Sequence, residues 1–308
     1  MAERTRKEEY LKTQEALRGN ALKLITVMLE WSNKPPGSKY LVDEILHCIF
    51  FLGQVNNVPY SPESIIGDEE ILEKLKERYP RPFKFYLIQL PRRSPFSCVM
   101  DMVVQQEGQE NENRILTCLR QLLTGLEKNF LVSTTLCISQ KAKNSERYYG
   151  VSMSTTGPNP GKIVIAASCL SNWDDYVADA VTTYYPVKQK KPFFDGTIKL
   201  PRYVRCQAFN IRERITLPPC RSCANLFGLS TNEGKEWDYG HCAEAESLSN
   251  LLKNDNGVKR ETRQESPTCN PANRQQAIDS VHKKLQEVLR TVQFKRWDGE
   301  FYSPQVTN

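Results

Sequence analysis

The chain has 308 residues, of which 39% are hydrophobic and 25% charged, and its formal net charge is +6. That length holds one large or two ordinary domains, and the apolar share excludes a disordered polar chain. The longest apolar runs, Ile45–Leu52 and Ile163–Ala167, fall far short of the ~20 residues a membrane helix needs. Residues 1–9 lack the apolar region of a secretory signal. The expectation is a cytoplasmic or nuclear protein without membrane contact.

In chain order, residues 1–140 predict a mostly helical N-terminal region. Between Tyr10 and Trp31, Leu17, Ala21, Leu24 and Met28 recur at helical spacing and give one apolar face. Leu41, Ile45, Cys48 and Leu52 repeat the pattern up to Gly53. Asp68 reads as the N-cap of a helix carrying Ile71, Leu75 and Tyr79 that stops before Pro80. A further helix is predicted from Arg114 to Leu126 on Ile115, Leu119, Leu122 and Leu126, with polar Gln105–Asn113 as a loop before it. No catalytic residue types gather here and the sequence assigns this region no function; a protein partner is one open reading. His47 and His282 sit on predicted helices and read as surface or satisfied core groups.

Residues 141–308 read as a second domain. Tyr149, Val151 and Met153 alternate with polar or small residues, and Gly157-Pro158-Asn159-Pro160-Gly161 precedes Lys162-Ile163-Val164-Ile165-Ala166-Ala167. Strand, turn and strand predict a hairpin. Trp173–Val181 reads as a helix, while Ile198–Leu200 and Tyr203–Ile211 read as extended. A polar insert is expected at 254–273. A C-terminal helix at 276–292 carries Ile278, Val281, Leu285, Leu289 and Val292, and Trp297, Phe301 and Tyr302 supply the apolar surface to dock the tail.

Charge is unevenly placed. Residues 186–221 hold nine Lys or Arg against Asp195 and Glu213, a net +7, so the rest of the chain sums to −1. A solvated basic face and a nucleotide- or nucleic-acid-binding segment at 188–221 are both open readings. Phe193, Phe194, Tyr203 and Phe209 are interleaved as base stacking requires. Arg212, Arg214 and Arg221 are the candidate substrate-binding cations.

Of ten cysteines, Cys48, Cys98, Cys118, Cys137, Cys169 and Cys206 stand singly among apolar residues and read as buried reduced thiols. Cys220, Cys223 and Cys242 cluster instead. Pro219-Cys220-Arg221-Ser222-Cys223 puts two sulfurs at a helix start, where free N–H groups favour the thiolate that binds metal. Eighteen residues after Cys223 comes His241-Cys242-Ala243-Glu244-Ala245-Glu246, the first turn of a second predicted helix. A catalytic zinc needs three protein ligands and an open position, plus a carboxylate that moves protons without ligating. Cys220, Cys223 and Cys242 supply the ligands and Glu244 the carboxylate. Glu246 reads as a solvated or hydrogen-bonded helix residue.

Pro219-Cys220-x-x-Cys223 and Cys242-Ala243-Glu244 resemble the two zinc motifs of the cytidine deaminase-like superfamily, P-C-x-x-C and H/C-x-E. The likeness covers about residues 145–255 and rests on some seven of them. It implies Zn2+ on Cys220, Cys223 and Cys242, with Glu244 as general acid/base for attack of water at an amino-bearing ring carbon. The implied fold is α/β, a mixed sheet flanked by helices with both motifs at helix starts, behind the helical N-terminal region. Most of the superfamily carries H/C-x-E first, whereas here the order is reversed, which implies a rearranged topology. The expected function is a zinc-dependent hydrolytic deaminase of a nucleobase, nucleoside, nucleotide or nucleic acid. Two alternatives stay open. His241 could close a structural zinc site as a fourth ligand, or sit in the pocket beside it. The whole domain could be a non-catalytic scaffold for interaction or regulation.

Overall fold

The computed structural model describes residues 2–34, 37–264 and 266–305, with side chains from residue 15 onward. Seven helices come first: α1 (Ala2–Trp31), α2 (Lys39–Gln54), α3 (Pro62–Ile66), α4 (Glu69–Arg78), α5 (Pro80–Phe85), α6 (Pro95–Glu107) and α7 (Glu112–Thr124). Helix α2 is the hub of this layer. Its residues Leu41 to Gly53 are all buried, as expected of a helix packed on every side, and it lies against α1, α5 and α6. Asp68 caps α4 as the sequence predicts, accepting from Ile71 N at 2.9 Å. The buried face of α4, however, is Leu72 and Leu75, and Ile71 is 44% exposed. Helix α6 was hidden in the sequence because Phe96 to Val104 is apolar with no helical period, and its last turn takes up part of the expected loop at Gln105–Asn113.

Strands β1 (Thr135–Gln140), β2 (Arg147–Val151), β3 (Arg205–Asn210) and β4 (Thr216–Leu217) form one sheet in the order β2-β1-β3-β4. Every pairing is antiparallel, with Leu136 opposite Val151, Cys137 opposite Ala208, and Ala208 opposite Leu217. The expected mixed sheet is therefore replaced by an antiparallel one. The inner strand β1 lies before the 140/141 division. A single apolar cluster runs from Leu17 in α1 through Leu136 and Ile138 to Phe294.

The predicted hairpin over 148–167 is also corrected. Its second half is helix α8 (Pro158–Ser171), and the hairpin partner of β2 is β1. Ile163-Val164-Ile165 favours a strand locally. Residues Ile163 to Ser168 are buried all round, between α9 (Asp175–Tyr184) and α13 (Pro271–Thr291). Tertiary burial overrides the propensity. Pro158 and Pro160 cost little in the first turn, where the N–H groups have no helical partner.

The remaining helices are α10 (Arg221–Phe227), α11 (Ala243–Asn254) and α12 (Asn256–Glu261). Helix α12 occupies part of the expected insert at 254–273. Asp255 caps it by accepting from Val258 N at 2.9 Å, Val258 is fully buried, and Arg263 pairs with Lys199. Helix α13 starts at Pro271, before the expected 276. The tail docks as predicted: Tyr302 is buried, stacks on His47 at 3.8 Å and donates to Asp43.

One contact positions the cysteine-bearing helix. Helix α11 lies on β1 and β2, on the face that carries Cys137, Ser139 and Gly150. The Ser139 and Ser247 hydroxyls meet at 2.8 Å. A Cβ on Gly150 would stand 2.2 Å from Ser247 N and 2.6 Å from Ala243 O. Glycine at 150 is what lets the first turns of α11 settle on the sheet.

Candidate metal centre

The two cysteine motifs fold as two helix starts. Cys220 is the N-cap of α10, which Gly228 closes in the left-handed conformation at φ 66°. Cys242 is the N-cap of α11, so Glu244 sits in its first turn. Before Cys242 the chain turns through Gly240 at φ 87°, a conformation glycine adopts without steric cost. Met153 N then donates to His241 O at 2.8 Å, fixing that turn to the end of β2. The segment between the two helices is held on α10, where Ser222 Oγ donates to Trp237 O at 2.5 Å and Arg221 N to Lys235 O at 2.9 Å.

These constraints bring three sulfurs together. Cys220 Sγ lies 3.6 Å from Cys223 Sγ and 3.4 Å from Cys242 Sγ, and all three fall within 4.8 Å of one another. Tetrahedral bonds of about 2.3 Å to one ion would set sulfurs about 3.8 Å apart. The set can therefore hold a metal with small adjustments. Among the described residues, no other His, Cys, Asp or Glu ligand atom joins this mutual set. His241, the sequence candidate for a fourth ligand, turns its ring towards α8, where a Cβ on Gly161 would meet Cε1 at 3.2 Å.

Electrostatics favour one thiolate among the three sulfurs. Hydrogen bonds from the Cys223 and Cys242 thiols, with the N–H groups of Cys223 and Ser222, pull Cys220 down to about 2. Cys223 and Cys242 are pushed well up, since three neighbouring thiols cannot all ionise without a cation. Glu244 is 5% exposed. Burial, reinforced by the Cys220 thiolate, raises its carboxyl to about 7. Burial holds His241 below its ordinary value.

An open cavity of about 880 Å³ reaches this cluster. Cys220, Cys242, Glu244 and His241 line it, and buried Cys223 lies behind. Its other walls come from Thr134 and Thr135 at the start of β1, Ser152 and Met153 after β2, and the segment carrying Lys235 and Trp237. Sequence reasoning missed these walls. Trp237 lies close to Cys242 in the chain and offered a signal. Thr134 and Ser152 offered none, because only strand pairing brings them there.

Most cations of 188–221 are engaged elsewhere. Arg205 makes a bidentate pair with Glu112 at 2.9 and 3.0 Å. Lys190 pairs with Asp195, and Lys191 donates to the carbonyls of Thr182 and Tyr185 at the end of α9. Arg212 donates to Leu126 O at 3.0 Å and Arg214 to Thr117 Oγ1 at 3.2 Å, both away from the cavity. Arg221 is exposed and outside the cavity wall. Of the interleaved aromatics, Phe194 is core and Tyr203 donates to Glu261.

The other cysteines are free thiols, and Cys137 and Cys206 meet at 3.6 Å across β1 and β3. No helix among the described residues is long and apolar enough to cross a membrane. Compared with protein-family models, curated proteins and solved structures, the chain matches none of them.

Proposed function

We propose that this chain is a zinc-dependent hydrolase that removes an amino group from a nucleobase-type ring, in the manner of the cytidine deaminase-like superfamily that its motifs resemble. The observation that carries this reading is the juxtaposition of three mutually close sulfurs with a buried, non-ligating Glu244 on one open cavity. A structural site would favour four protein ligands in a closed shell, whereas among the described residues no fourth His, Cys, Asp or Glu ligand atom joins the three sulfurs. Zinc, when bound, would act as a Lewis acid that makes water nucleophilic near neutral pH.

The residues of the chain divide the remaining work. Cys220, Cys223 and Cys242 hold the ion at one end of the cavity. Glu244, buried on the cavity wall beside the sulfurs, would take a proton from water and return it to the departing amine. Thr134, Ser152 and Trp237 are placed to orient the ring.

The test is metal analysis and deamination by the purified chain, with Cys242→Ala and Glu244→Ala beside it. Cys242→Ala is expected to lose the metal. Glu244→Ala is expected to keep zinc and lose about 100- to 10,000-fold in rate. A Glu244→Ala protein that deaminates at the normal rate would sink the catalytic reading, and a fourth protein donor found on the bound zinc would turn it into a structural site.

A further inference from the structure

If the cavity beside the cysteine cluster is the substrate site, as proposed above, its charge defines what it can take. Four charged side chains stand on its wall: Lys188, Lys235, Glu233 and Asp238. They cancel. Lys188 is moreover held by the carbonyl of Glu236 at 2.7 Å and lies 3.4 Å from the Asp238 carboxylate. The Lys235 ammonium rests 3.7 Å from the centroid of the Trp237 ring. Deeper in, the cavity adds the Cys220 and Cys242 sulfurs, the Glu244 carboxyl and the His241 ring, and three thiolates around a zinc ion would leave that end without net positive charge.

A phosphate-binding site needs an excess of cations or converging N–H donors, and a polynucleotide needs a basic track for its backbone. The strongly basic segment could have supplied one. Six of its nine cations instead contact carboxylates, carbonyls or a hydroxyl. The other three, Lys199, Arg202 and Arg221, are exposed and outside the cavity wall. What the cavity does offer suits a flat neutral ring. Trp237, 50% exposed, and Met153 present polarisable surface, and the hydroxyls of Thr134 and Ser152 present hydrogen-bonding groups.

We infer that the cavity takes an uncharged amino-bearing heterocycle, as the free base or its nucleoside, and discriminates against the phosphorylated forms of the same compound. The selectivity comes from the balance of two cations and two carboxylates at the rim. Adding a phosphate dianion to the ligand brings desolvation and repulsion from Glu233 and Asp238, which the two rim cations, Lys188 held by Glu236 O and Asp238 and Lys235 resting on Trp237, do not outweigh.

Binding to the full zinc-loaded chain, measured by calorimetry, tests this independently of turnover. The probes are cytidine, adenosine and guanosine, their bases and 5′-monophosphates, and a short single-stranded oligonucleotide. At least one nucleoside or base is expected to bind, with its monophosphate about tenfold weaker or worse. Its affinity should change by less than about twofold between low and physiological salt, because no counterions are released. Glu233→Lys, on an exposed position, should narrow the gap between nucleoside and monophosphate by about fivefold to tenfold. Tighter binding of the monophosphate or the oligonucleotide, a steep salt dependence, or binding of no probe would each overturn the inference. A nucleoside that binds in this order but is never deaminated sinks the hydrolase reading alone. Preferential deamination of the oligonucleotide sinks this inference and leaves the hydrolase standing.

Discussion

In the helical layer, Glu44 accepts two hydrogen bonds from Arg93 at 2.7 and 3.0 Å. The Asn20 side chain spans the Glu127 and Phe130 carbonyls and the Glu127 N–H, each at 2.9 Å. Asp43 receives the Tyr302 hydroxyl. At the cysteine-bearing face the chain does the opposite. Three thiols crowd one another, and Glu244 and His241 line open space. Paired polar groups in the first region fix the packing of helices. In the second, three sulfurs converge in a set that could hold a metal ion. Each region can be perturbed without the other, and the contrast predicts how.

The largest stability effect belongs to the support layer. Arg93→Met leaves the buried Glu44 carboxylate without its partner and is expected to destabilise by about 3–5 kcal/mol, while zinc stoichiometry stays at the wild-type value. Denaturant curves and metal analysis on the same preparation check both halves, and loss of zinc would break the separation of the two regions. Gly150→Ala should cost less, about 3 kcal/mol, yet weaken zinc binding, because the new methyl pushes the first turns of α11 off the sheet. A competition titration with a chelator reads the affinity; unchanged affinity would mean that α11 shifts as a unit with its site.

Glu246 sharpens the comparison because it joins the regions. It accepts from Val151 N at 2.8 Å. Burial raises its carboxyl to about 7, against the pull of that N–H, Arg93 and Ser97. The folded form keeps a proton that the unfolded chain releases near 4.5, so its contribution is complete below that pH and is lost as pH rises towards 7. Glu246→Gln is expected to remove on the order of 2–3 kcal/mol of that pH-dependent loss. Melting temperatures of both proteins across this window measure it, and parallel curves would count against a protonated Glu246. The smallest effect is expected from Tyr302→Phe. Asp43 loses its hydroxyl donor at a cost of about 1–2 kcal/mol, visible in the denaturation midpoint and invisible in zinc binding.

The candidate site was half legible in the sequence. Cys220, Cys223 and Cys242 could be read because a helix N-terminus is a local event, set by a few residues around each cap. Glu244 could be placed near the sulfurs for the same reason, being in the first turn that follows Cys242. The cavity wall could not. Thr134, Ser152 and Trp237 reach it through strand pairing and a pinned loop. The fate of the basic segment was equally hidden, since Glu112 and Leu126, which meet Arg205 and Arg212, lie far upstream in α7 and just beyond it.

By itself, then, the sequence determined the capped and periodic helices, the strand over Arg205–Asn210, and the two helix starts that carry the cysteines. Each depends on neighbours within a turn or two of the chain. Tertiary structure decided that Ile163-Val164-Ile165 is helical, that the sheet is antiparallel, and that Gly150 admits α11. It also left the cavity rim balanced in charge although its neighbouring segment carries a net +7. Burial and ion pairing act between residues distant in sequence, and no local pattern records them.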